Sequence, residues 1–262
     1  MTKILGAVLA LFMGACAYAA DVAYMRGATA PWGQATNEAA MDAAFGAGNW
    51  DDLRMANGVG PFLPGSGYRF IFLEGGDDTA IELDNYLQAN LSAIEAFVSG
   101  GGHLIINSAP NQGGNIDFGF GGVTLTNGLH SGTVEAANPT HSVFTGPLSV
   151  GVTTFTGSSF AHAVVGPGLS SILDSVDNHP GEVVLGELNY GDGIVLFGGM
   201  TTSNWHSPQP DADNLRANII YYAANGAYVS SPKKVPVNSP LALVILIGLM
   251  GLVALRARRS FS

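Results

Sequence analysis

The chain has 262 residues, a formal net charge of −10 and 47% hydrophobic residues, with 36 glycines and one cysteine. All 20 acidic residues fall between Asp21 and Asp213, and from Asp21 through Gly226 the lysine and arginine cations are Arg26, Arg54, Arg69 and Arg216 alone. A body with no basic footprint excludes nucleic acid as a partner, and its acidity reads as a device for solubility.

Met1–Ala19 starts with Lys3, runs apolar through "ILGAVLALFMGA" and ends in "AYA". This is the plan of a secretory signal peptide, with cleavage after Ala19. An uncleaved N-terminal membrane helix and lipoprotein processing at Cys16 remain open; the stretch is short for the first, and "MGA" is a poor lipobox for the second. Cys16 lies inside this signal, so the mature body has no thiol. Disulfides, cysteine nucleophiles and thiolate metal sites are thereby excluded. Roughly 200 residues remain between the two ends, enough for one hydrophobic core.

Along the body, "DVAYMR" (21–26) reads as a first strand and "ATAPWGQA" as a loop. Thr36 is placed to cap a helix through Phe45, stopped by Gly46 and Gly48. "WDDLRM" is a second strand, and "NGVGPFLPGSG" is a Gly/Pro loop. "YRFIFLEGG" is a buried strand followed by a turn. Leu83, Leu87, Leu91, Ile94 and Val98 form one apolar helical stripe that ends at Gly100-Gly101-Gly102. "HLIIN" follows at once, so strand, helix and strand make a parallel crossover unit. Residues 109–168 are glycine-rich and read as an insertion, a β-rich excursion or covering loop. "SSILDSVDNHPG" reads as a connector, and "EVVLGELNYGDGIVLFGG" as a hairpin. Asp211 or Asp213 would cap a last helix, "NLRANIIYYAA", with Leu215, Ile219 and Tyr222 inward and Asn225-Gly226 at its end.

The tail combines a Pro/Ser/Lys linker (229–240), an apolar run from Leu241 to Leu255, and Arg256, Arg258 and Arg259 in a basic end (256–262). Fifteen helical residues span about 22 Å, against about 30 Å of hydrocarbon, and the arginines would stay cytoplasmic. Val235-Pro236-Val237-Asn238-Ser239-Pro240, the apolar run and the terminal arginines resemble the C-terminal sorting signals of the PEP-CTERM and IPTL-CTERM types. That resemblance implies an exosortase-like processing protease as partner. Val237 stands where the PEP type has glutamate, which leaves the processing enzyme open, and a plain single-span membrane anchor stays as the alternative.

"AIEAFVSGGGHLIINSAPN" (93–111), "GDGIVLFGGMTTSNWH" (191–206) and the helix "NLRANIIYYAA" resemble the class I glutamine amidotransferase-like fold, closest to its trehalose-utilisation type. The resemblance covers most of 20–228 and implies a flavodoxin-like, doubly wound, mostly parallel sheet. The family's elbow cysteine is replaced here by Asn107-Ser108-Ala109, so thiol-based glutamine hydrolysis is excluded.

In such a sheet, ligands bind beyond the carboxyl ends of the strands. Ser108 is one candidate nucleophile there, with His206 as base and Glu74 or Asp211 behind it. The flanks of Ser108 lack the Gly-x-Ser-x-Gly elbow, and loop hydrogen bonding is the plainer role for Asn107 and Ser108. Trp32, Asn107, Asn111, Asn204 and Trp205 are the candidate ligand-binding residues. Exposed indoles stack on sugar rings, although core packing would also use them. His103, His130, His141, His162 and His179 show no metal-ligand spacing. "EGGDD" lacks the oxygens of an EF-hand, and "GFGG" lacks the Lys of a phosphate loop. No metal or cofactor is expected. The sequence thus predicts an exported envelope protein with a non-catalytic, ligand-binding amidotransferase-like domain, bound to carbohydrate or another envelope component. Such a protein would lie on the periplasmic side of the membrane, at the cell surface or in the medium. The alternative is a serine-type hydrolase or carbohydrate-processing enzyme using Ser108 and His206.

Overall fold

A computed structural model describes residues 20–226. In chain order it holds β1 (Val22–Arg26), α1 (Thr36–Phe45), β2 (Asp51–Arg54), β3 (Phe70–Glu74), α2 (Ala80–Ser99), β4 (His103–Asn107), β5 (Ile116–Gly119) and β6 (Val123–Ala136). There follow α3 (Ser142–Thr145), β7 (Thr154–Gly166), β8 (Ser170–Ser175), β9 (Val183–Tyr190), β10 (Gly193–Gly198), β11 (His206–Ser207) and α4 (Asp211–Asn225). Short 3₁₀ turns at Pro31–Gly33 and Ser203–Trp205 follow β1 and precede β11.

The strands at one end are buried on both faces because apolar side chains occupy both parities of their sequence. Val22, Tyr24, Phe70, Phe72 and Ile105 pack against α1 and α4, while Ala23, Met25, Ile71, Leu73, Leu104 and Ile106 pack against α2. The leucine stripe of α2 is as the sequence predicts: Leu83, Leu87, Ile94 and Val98 are fully buried. Each contributes about 1.5–3 kcal/mol relative to exposure. Leu91 is only partly buried, and its side chain lies over Gly119 of β5.

The flavodoxin-like, doubly wound and mostly parallel sheet is corrected by the structure. One 11-stranded mixed sheet runs β11-β7-β6-β8-β9-β10-β4-β3-β1-β2, with β5 paired to β6. Only β2, β1, β3, β4 and β10 are joined by parallel pairing. The other strands pair antiparallel. Residues 109–168 are therefore no excursion: β6 and β7 build much of the second half of the sheet, and the expected connector contains β8. The reason is local. Between Asn127 and Thr133 the register of β6 shifts twice and most side chains are only half-covered, so the period-two apolar pattern is lost where the pairing is irregular.

Two helix caps also differ. Ala35 occupies the N-cap of α1 without a side-chain bond, and Pro210 that of α4. Thr36 bonds Asn204 instead, Asp211 accepts from the Gly151 amide, and Asp213 accepts from Ser203. Among the described residues no helix is long and apolar enough to cross a membrane. The expected membrane helix at 241–255 and the processing positions Ala19, Pro236, Arg256, Arg258 and Arg259 lie outside the described residues.

Candidate functional site

The carboxyl ends of β1, β3, β4 and β10 meet at one edge, and the loops leaving them carry most of the residues singled out from the sequence. Strand pairing puts Arg26 beside Glu74, Glu74 beside Asn107, and Asn107 beside Gly198.

The floor is polar and buried. Asn107 donates to Glu74 Oε2 at 2.8 Å and to the Met200 carbonyl at 2.9 Å, and its Oδ1 accepts from the Met200 amide. It therefore ties β4 to the turn after β10. Burial pushes the Glu74 carboxyl up to about 8, against the opposing pull of Arg216 and its hydrogen bonds, which favours the neutral form. Arg216 on α4 is itself buried and donates to the Thr201 carbonyl. Burial, with help from Glu74 and Glu38, raises the Tyr24 hydroxyl well above its usual range.

Ser108 and His206 have separate partners. Ser108 Oγ donates to the Gly75 carbonyl at 2.7 Å. His206 Nε2 lies 2.8 Å from Thr201 Oγ1, and its ring stacks on Phe160 with centroids 3.8 Å apart. Burial, then Arg216, pulls the His206 pKa down to about 3. These groups hold loops together; among the described hydrogen bonds none joins Ser108 to His206. Asp211 is likewise spent on the Gly151 amide.

Above the floor the two indoles meet, although 173 positions part them in the chain. Trp32 and Trp205 have ring centroids 5.4 Å apart at an interplanar angle of 84°. Trp32 also meets His162 at 5.5 Å and 80°, and His162 meets His130 at 4.7 Å. Trp205 is 38% exposed and Trp32 is partly exposed. Trp32 holds φ at 51°, a left-handed backbone that is costly for a bulky residue. The turn Pro31–Gly33 thus stores strain at the point where it presents an aromatic ring. Gly76 is where acid and indole come together: a Cβ there would lie 2.7 Å from Glu74 Oε1 and 3.3 Å from Trp32 Cζ3. Beside them Asn111 donates to Asp77 Oδ1, and Asp77 also has a left-handed φ, of 55°. Asn204 is exposed next to Trp205.

His162 and His130 are the residues that sequence reasoning missed. They sit on β7 and β6, inside the stretch read as an insertion, and no spacing rule links them to Trp32. His162 Nδ1 donates to the Pro110 carbonyl at 3.2 Å, which leaves Nε2 of the neutral ring as an acceptor. Burial, with His130 adding to it, lowers the His162 pKa, so the ring stays neutral. Among the described residues no group of three or more His, Cys, Asp or Glu is placed to hold a metal ion.

Fold and site together define an α/β domain with a mixed sheet and an aromatic corner over a buried acid. No protein-family model matches the chain, and no curated protein matches it. Among the solved structures it resembles is a β-galactosidase from Rahnella sp. R3, at 15% identity and TM-score 0.46, covering 76% of this chain and 30% of that one. A cytoplasmic protein from Salmonella typhimurium matches at 13% identity and TM-score 0.47, over 78% and 98% of the two chains. An exo-β-1,4-mannosidase from Opitutaceae bacterium strain TAV5 matches at 13% identity and TM-score 0.42, over 79% and 36%. The chain spans about a third of the length of these two glycosidases. Likeness at this level assigns no activity. The amidotransferase-like resemblance is nonetheless corrected. No family model supports it, and the sheet is mixed rather than mostly parallel. The reading of a non-catalytic amidotransferase-like domain falls with it.

Proposed function

We propose that the protein engages carbohydrate at the carboxyl edge of its parallel strands. The observation that carries this reading is the meeting of Trp32 and Trp205 at 5.4 Å, with Trp205 exposed. Indole faces pack on the C–H faces of sugar rings, and the polar groups nearby set orientation. Asn111, Asp77 and Asn204 supply such groups at the rim, and His162 Nε2 adds an acceptor. Burial beneath them raises the Glu74 carboxyl, which disfavours the charged form that a carboxylate nucleophile needs. Carbohydrate processing, the alternative drawn from the sequence, therefore needs a different set from Ser108 and His206.

The test is a glycan array probed with the full chain, followed by titration of hits through tryptophan fluorescence. Trp205→Ala is expected to weaken binding roughly tenfold or more while leaving the far-UV circular dichroism unchanged. A variant that binds as tightly as the parent removes this reading. Export, and sorting of the tail by an exosortase-like protease, remain proposals about where the site works. They are supported by the signal-like start and the Pro-apolar-Arg end, and intact masses of membrane and medium fractions test them.

A further inference from the structure

His130 and His162 stand on neighbouring strands. Asn127 pairs with Ala163 and Ser131 with Ala161, so Gly128, Leu129 and His130 of β6 stand opposite His162 of β7 alone. Extra residues on one strand make a bulge, and a bulge re-aims the side chains it carries. Gly128 holds φ at 84° within it, a left-handed value that suits glycine. The two imidazoles lie with ring centroids 4.7 Å apart at 62°.

The ring nitrogens supply a second observation. His162 Nδ1 is held by the Pro110 carbonyl at 3.2 Å. Such a bond fixes the tautomer and leaves the Nε2 lone pair, as backbone carbonyls do for metal-ligating histidines. Among the described residues no hydrogen bond reaches His162 Nε2 or either ring nitrogen of His130. His130 is exposed, so an ion can arrive from solvent.

The spacing fits one shared ion. A metal bound to imidazole lies about 2.0–2.1 Å from the nitrogen, and so about 3.2 Å from the ring centre. Two rings on one ion, at an angle of about 90–110°, then have centres about 4.5–5.2 Å apart. The observed 4.7 Å falls in that range. The Asp77 carboxylate favours positive charge at His162, and Asn111 steadies it by donating to Oδ1. Calcium and magnesium ask for oxygen ligands, whereas paired imidazoles suit copper, nickel and zinc.

We infer that His130 and His162 together bind a divalent first-row transition metal ion, Cu²⁺ ahead of Ni²⁺ and Zn²⁺. Two protein ligands leave the other positions to water, so the ion exchanges freely and is no structural centre. It sits beside Trp32, whose ring meets His162 at 5.5 Å. The inference is independent of carbohydrate binding.

The experiment titrates the full chain with copper(II) chloride in a non-chelating buffer, read by tryptophan emission and pulsed EPR. Saturable quenching at one equivalent is expected, since Cu²⁺ quenches an indole at this range, with EPR coupling to two imidazoles. His130→Ala, at an exposed position, and His162→Gln, which keeps an N–H donor for Pro110, should each lose the saturable phase with far-UV circular dichroism unchanged. A variant quenched at the parent's midpoint overturns the inference. So does a parent chain without saturable quenching, or one whose EPR shows a single imidazole or none. Should a variant lose its fold, the imidazole count in the parent decides.

Discussion

Glu74 and His206 are buried within the same cluster of strand ends, yet their pH linkage has opposite signs. The folded-state value of Glu74 is raised to about 8 from 4.5. Between those values the folded chain keeps a proton that the unfolded chain has released. Its contribution to stability is fully present below about pH 4.5 and is lost as pH rises toward 8. His206 is lowered to about 3 from 6.5, so stability falls as pH drops through that window. Glu74→Gln keeps a neutral side chain of the same shape and removes only the first slope. In urea unfolding, the variant should gain on the parent steadily between pH 5 and pH 8. A difference that stays constant over that range would mean Glu74 carries no raised pKa. At this scale the sequence exposed what composition and loop position can show. Trp32 and Trp205 stood out as indoles in strand-end loops. His162 did not, because a histidine on a strand becomes informative only when the ring it faces is known.

At the level of elements, the glycines at the α2–β4 turn and in the β9–β10 hairpin act as one contact. A Cβ on Gly193 would fall on the carbonyl oxygens of Gly102 and Val98. The hairpin therefore closes directly on the end of α2, and Gly191 at φ 60° packs on Ser99 in the same way. Gly193→Ala should destabilise the domain by about 3 kcal/mol, as an added methyl forces backbone apart. Chemical denaturation checks it; a loss below about 0.5 kcal/mol would show that the hairpin can back away. Here the sequence was legible in part. The stripe of α2 and its glycine stop were plain, since a helix shows its period within its own residues. The caps were not. Asp211 and Asp213 precede an apolar run as caps do, but their oxygens are taken by the Gly151 amide and Ser203, which arrive from elsewhere in the chain.

Taken whole, residues 20–226 carry a parallel and an antiparallel half joined through β10, which pairs with β4 on one side and β9 on the other. Both core clusters draw on strands from each half: Phe72 belongs to one together with Val184 and Phe155, and Ile71 to the other together with Val165 and Leu125. Neither half can lose its partner without baring apolar surface. Tryptophan fluorescence, reporting Trp32, Trp50 and Trp205, and far-UV circular dichroism should therefore trace one coincident unfolding curve. Two separated transitions would mean the halves fold independently.

The amino-acid sequence by itself determined the acidic, thiol-free body, the buried strands of the parallel half, the long amphipathic helix and the glycine stops. Each of these is written in residues a few positions apart, where burial and helix period leave a local trace. Only the tertiary structure decided that residues 109–168 complete the main sheet, that Ser108 and His206 serve different loops, and that two indoles 173 positions apart share a corner. Those outcomes depend on pairing between distant segments. Strand pairing is set by register and by what covers each face, and where the apolar pattern is broken the sequence carries no local sign of it.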